Sequence, residues 1–149
     1  MDRVRVVVGV DGSAGSVGAL RWGLEEARRL GADVDAILCW YPPAMAMGNA
    51  YAPVYLAPET LLGGAQDLLD LTLSVLATEI RQAKAEGRRV DGRLLDGPAA
   101  ETLVREAKGA ALLVVGRRGH GGLSRLLLGS VSRHVVAHAT CPTVVVPEP

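Results

Sequence analysis

The segment VVGRRGHGGLSRLLLGSVSRHVV, Val114 to Val136, carries five glycines and four arginines but no carboxylate. Unpaired backbone N–H groups at a glycine-rich turn or a helix start bind anions, since that end of a helix is partially positive. Gly129 and Ser130 stand where such a helix would begin, and the Ser130 and Ser132 hydroxyls are further donors. Gly116 and Gly119, three apart, suit a tight turn with positive φ. Arg117, Arg118 and Arg125 add positive charge with no acid nearby to repel a polyphosphate. These residues point to phosphate. The plainer alternative is a glycine-rich surface loop whose arginines are solvated.

A second polar stretch, GVDGSAGS, closes the first apolar run of the chain. Asp11 there follows a buried-strand pattern, which makes it a candidate ligand beside a phosphate or a divalent ion; the alternative is an aspartate that merely shapes the DGS turn. Ser13 either caps the next helix or faces the phosphates as well. Neither loop matches a Walker A sequence, because Lys84 and Lys108 do not follow glycine, and glycines at 9, 12, 15 and 18 miss the G-x-G-x-x-G spacing. His134 and His138 share a helix face without a third ligand close in sequence, so metal binding is not expected of them. His120, inside the glycine loop, is a candidate nucleotide contact.

The elements that must position these loops alternate. RVRVVVGV is an all-apolar strand covered on both faces. Helical spacing runs from Ser13 to Leu30 and stops at Gly31, DVDAILCWY forms strand 2, and Tyr41 to Pro58 is a long proline-bearing loop of the kind that serves as a lid or binding segment. Glu59 to Glu86 is predicted as one long helix, then RRVDGRLLDG as strand 3, Pro98 to Lys108 as a helix, and ALLVVG as strand 4. A helix from Ser130 to His138 and the strand TVVVP complete a β-α-β-α-β-α-β-α-β pattern. Such alternation gives an α/β fold: one open parallel sheet with helices on both faces, in a single domain over residues 1–149. Ligands of such sheets bind outside the carboxyl ends of the strands.

The 149-residue chain has no net charge, yet residues 1–106 hold 11 basic against 15 acidic residues, while residues 108–147 hold five basic residues and no acid. The N-terminus lacks the apolar core of a signal peptide and the uncharged stretch from Ala36 to Pro58 contains four prolines, so a cytoplasmic protein without a membrane span is expected. Cys39 and Cys141 are read as small buried hydrophobes. Nucleic acid is not expected, because the basic residues lack interleaved aromatics.

Gly116, Gly119 and, nine residues on, Gly129-Ser130, together with VVVGVDGS and CPTVVVP, resemble the ATP-binding branch of the universal stress protein family over nearly the whole chain. The resemblance implies a Rossmann-like five-stranded sheet of order 3-2-1-4-5, so that both loops face one crevice. It implies that Gly116, Arg117, Gly119, Gly129 and Ser130 wrap ribose and phosphates, with Val131 and Ser132 following and Val10, Gly12 and Ser13 flanking Asp11. It further implies that Asp11 lies near ATP and its Mg2+ or other divalent ion, and that Cys39 marks the adenine-reading position. The expected function is an ATP-binding stress-response regulator without a catalytic residue, acting on a regulatory protein that the sequence does not name. Slow ATP hydrolysis, cyclic AMP binding and a nucleotide-free partner-binding role stand as alternatives. TVVVP, placed at a sheet edge by the resemblance and carrying no charge, implies a homodimer paired through that strand.

Overall fold

The computed structural model describes residues 2–40, 58–119 and 128–148. Five strands, β1 (Arg5–Val10), β2 (Asp33–Trp40), β3 (Val90–Asp96), β4 (Leu112–Gly116) and β5 (Thr143–Val146), form one sheet of order β3-β2-β1-β4-β5. All four pairings are parallel, with Val6 opposite both Val34 and Leu112. The expected strand order is therefore observed.

Alternation along β1 explains why the run is apolar throughout. Val6, Val8 and Val10 point into a core built with α1 (Ala14–Leu30), α2 (Pro58–Val75) and α3 (Ala77–Ala85), whereas Val7 points into a second core with α4 (Ala99–Glu106) and α5 (Ser130–His138). Both faces of the central strand are dry, and Val6, Val7 and Val8 are fully buried. In α1, Gly23 lets the helix approach the sheet: a Cβ there would meet Val8 Cγ2 at 2.7 Å.

The single helix expected over Glu59 to Glu86 is instead two, α2 and α3, with a break at Leu76. Just before the break the hydroxyls of Thr72 and Ser74 donate to the carbonyls of Leu68 and Leu71, a competition that bends helices. Leu76 N–H donates to Leu73 O in a tighter turn, and the Leu76 side chain is fully buried. The break thus redirects the chain into α3 while keeping its N-cap, Leu76, in the core. Of the long loop expected from Tyr41, residues 41–57 lie outside the described residues and Pro58 already opens α2.

At the amino ends of the strands, buried Asp33 accepts from the Arg89 backbone N–H at 2.8 Å and guanidinium at 3.0 Å, and from Arg3 at 3.3 Å. Burial alone would raise its pKa; the Arg89 hydrogen bonds and the two positive charges outweigh it and lower the pKa. These contacts tie the start of β2 to the start of β3 and leave the opposite, carboxyl end of the sheet for the site.

Candidate functional site

At the carboxyl ends of β1 and β4 the two polar loops pack against each other through glycine. A Cβ on Gly116 would meet the Gly15 carbonyl at 3.0 Å, and one on Gly119 would collide with Asp11 Oδ2. Gly12, with φ of +84°, turns the chain between β1 and α1. Side chains at Gly116 and Gly119 would force the loops apart, and one at Gly12 would meet Leu68 of α2.

Asp11 is fixed by its neighbours. Ser13 N–H and Oγ–H both donate to Asp11 Oδ1, Asp11 N–H donates to Ser16 Oγ at 3.2 Å, and Ser16 Oγ–H donates to the Ser13 carbonyl at 3.0 Å. Ser13 Oγ in turn accepts from Ser16 N–H as the N-cap of α1. Oδ1 thus shapes the turn, while Oδ2 is the oxygen beside Gly119.

On the other side, the backbone of Arg117 is a clasp. Its N–H donates to Val146 O at 2.9 Å, and its carbonyl accepts from Gly129 N–H at 2.8 Å and Ser132 Oγ at 2.7 Å. Three elements, β4, β5 and α5, are held together at this one residue. Because Gly129 caps α5 without a side-chain hydrogen bond, the first N–H groups of that helix, at Ser130, Val131 and Ser132, have no intrahelical acceptor. The first acidic residue is absent from that turn as well.

Between these loops lies a cavity of about 360 Å³, within the usual range for small-molecule sites. One end is polar: Gly116, Gly119, Gly129, Ser130, Val131 and Ser132. The other is apolar, made by Ile37, Cys39, Ala99, Leu103 and Val115, while Val10, whose side chain belongs to the core on the other face of the sheet, also lines the cavity. Asp11, Ser16, Arg118 and Gly9 complete the lining. Burial pushes the Cys39 thiol up to about 11, against the opposing influence of Thr102. Cys39 and Cys141 are both free thiols that pack against the α4–α5 core, but they are partly buried at its margin rather than fully buried as expected.

Of the residues singled out in the sequence, ten line this cavity: Val10, Asp11, Cys39, Gly116, Arg118 and Gly119 at the strand ends, and Gly129 to Ser132 at the start of α5. Gly12, Ser13 and Arg117 are not in its lining; they hold the turn, the cap and the clasp behind it. The Ser132 hydroxyl is engaged with Arg117, so what Ser132 presents to the cavity is backbone. The Arg117 Nε is buried with no hydrogen-bond partner among the described residues. His120 lies outside the described residues. Sequence reasoning missed Ile37, Ala99 and Leu103, the wall opposite the glycines. Ile37 was findable, since it precedes Cys39 by two and shares its strand face.

Three comparisons bear on this site. The model of the Universal stress protein family matches residues 3–147. A universal stress protein of Methanocaldococcus jannaschii is 31% identical over 147 residues, covering 97% of this chain and 82% of that one. One from Mycolicibacterium smegmatis is 32% identical over 143 residues, covering 95% of this chain; this chain spans about half the length of that and the other mycobacterial relatives it matches, 47% in this case. Among solved structures, a universal stress protein in complex with cAMP is 26% identical, with 98% of each chain covered and a TM-score of 0.59.

Proposed function

The chain belongs to the universal stress protein family, and from that premise we propose that its crevice holds an adenine nucleotide, ATP with a divalent ion, as a regulatory ligand. The observation that carries this reading is one cavity with an apolar wall at one end and a glycine-lined helix N-terminus at the other. The apolar end, Ile37, Cys39, Ala99 and Leu103, suits a flat base. Ser130, Val131 and Ser132 offer backbone donors to phosphate oxygens. The related structure in complex with cAMP supports an adenine ligand for this shape of site.

The residues also fit a divalent ion carried by the nucleotide. Among the described residues no group of three or more His, Cys, Asp or Glu could hold a metal alone. Asp11 lines the crevice as a single carboxylate, and magnesium is held in this way, by one or two carboxylates with phosphate oxygens and water completing its shell. Such an ion neutralises phosphate charge. Asp11, fixed by the Ser13–Ser16 network, is the residue that would hold it.

Hydrolysis requires a positioned base or a residue that orients the attacking water, besides metal ligands. Asp11 is already tied to Ser13 and would face the ion. We therefore assign a binding rather than a catalytic role, with turnover below about one per second. Cyclic AMP is the second ligand to test, because a related protein binds it. Occupancy is read by a regulatory partner, and the chain pairs with a second copy through β5, which lies at the sheet edge. Titrating ATP and cyclic AMP in competition identifies the ligand; failure of both to bind removes the proposal.

A further inference from the structure

After Glu106 the sequence holds five basic residues and one carboxylate, Glu148. That carboxylate is paired with a residue of the crevice lining. Arg118 Nη2 donates to Glu148 Oε2 at 2.9 Å, and Arg118 lines the cavity. The Arg118 side chain is 12% exposed, that of Glu148 42%. Glu148 also lies over the first turn of α1: a Cβ on Gly15 would sit 3.8 Å from Glu148 Cγ and 2.9 Å from the Arg118 carbonyl. A guanidinium and the positive end of a helix meet there, and both favour any anion.

We infer that Glu148 is a tethered anion competing with the phosphate chain of the nucleotide for Arg118, and so sets the preference of the crevice among adenine ligands by phosphate length. The inference rests on the adenine-nucleotide reading and adds a residue that regulates it. Adenosine, which has no phosphate, leaves the Arg118–Glu148 pair in place. A triphosphate brings more charge to Arg118 and displaces the carboxylate. The displacement needs no change in the sheet, because Glu148 follows the end of β5, whose Val146 carbonyl stays bonded to Arg117 N–H, and its side chain is already part solvated. One partly exposed ion pair makes the competition modest.

The test is calorimetric titration of adenosine and of Mg-ATP into the unmodified protein, Glu148→Gln, Arg118→Gln and the double variant. Glu148→Gln is expected to tighten ATP about fivefold, the size of releasing one such pair, while adenosine changes by less than about twofold. In the Arg118→Gln background, Glu148→Gln is expected to have no effect on ATP, a dependence that separates competition for Arg118 from general charge removal. Equal tightening with and without Arg118, or equal tightening of adenosine and ATP, overturns the inference. ATP binding that is intact and indifferent to Glu148 overturns it alone; absence of both ligands from the unmodified protein overturns the nucleotide reading beneath it.

Discussion

Gly119 lies against the Asp11 carboxylate so closely that a Cβ at residue 119 would overlap Oδ2. The contact joins the end of β4 to the end of β1, two strands that neighbour each other in the sheet but stand about a hundred residues apart in the chain. A carboxylate held there between a glycine and the Ser13 donors has one orientation, with Oδ2 toward the crevice loop. Asp11→Ala is expected to weaken Mg-ATP by about 1–2 kcal/mol, as for loss of a charge-assisted contact, and to leave ATP in the presence of chelator nearly unchanged. Parallel titrations with magnesium and with chelator measure the difference; equal losses in both would contradict a role for Asp11 toward the ion.

Cys39 provides an optical or mass-spectrometric handle on the apolar end. Its thiol, pushed up to about 11 by burial, stays protonated at neutral pH, so alkylation is expected to be slow and to accelerate only in alkaline solution. An unfolded chain ionises the same thiol near its ordinary value of 9.0. Its contribution to stability is therefore present below that value and is lost as pH rises from about 9 to 11. Saturating nucleotide is expected to slow labelling of Cys39 and to leave Cys141 unaffected. Equal protection of both thiols would contradict the placement of the base.

The polar end of the sheet opposite the site is a stability element. Asp33, with its pKa lowered in the fold by Arg89 and Arg3 against the penalty of burial, stabilises the protein above the ordinary aspartate range and loses that contribution as pH falls through the folded value. Asp33→Asn is expected to cost about 2 kcal/mol and to lower Tm by roughly 4–8 °C without altering nucleotide affinity. Thermal unfolding and ligand titration on the same variant check both halves.

The outward side of β5 carries the proposed pairing of two copies. Arg117 N–H donates to Val146 O and Leu113 N–H to Pro142 O, so the even-numbered residues of this strand face β4; Thr143 and Val145 direct their backbone groups outward. Val145→Pro removes one outward N–H, a substitution that edge strands tolerate. It is expected to convert a dimer to a monomer by light scattering while ligand affinity is retained. A monomeric unmodified protein at micromolar concentration would remove the dimer from the account.

Much of this arrangement was legible in the sequence because it rests on local rules. β1 and β4 read as doubly covered strands from their unbroken apolar runs, and Ser13 reads as a cap from its place before α1. The polar end of the site was legible for the same reason, since Gly116, Gly119, Gly129 and Ser130 lie on two adjacent stretches of chain. The apolar wall was not. Ala99 and Leu103 reach the crevice only because α4 packs against β1 and β2, a tertiary fact with no local signature. The Leu76 break was hidden too, because Thr72 and Ser74 bend a helix whose apolar spacing continues through them. Arg118 was seen as charge, but its pairing with Glu148 joins residues thirty apart through the β5 edge.

The most direct measurement is calorimetric titration of Mg-ATP into the unmodified protein and into Gly119→Val and Gly129→Val. A side chain at residue 119 collides with Asp11, and one at residue 129 meets Arg118 Cα at 3.3 Å and the Arg117 carbonyl at 3.4 Å. Both changes lie in loops outside the two cores. One nucleotide per chain is expected for the unmodified protein, and at least about tenfold weaker binding, some 1.4 kcal/mol, for each variant with its thermal unfolding cooperative. Unchanged affinity in both variants, or no binding by the unmodified protein, would contradict the account.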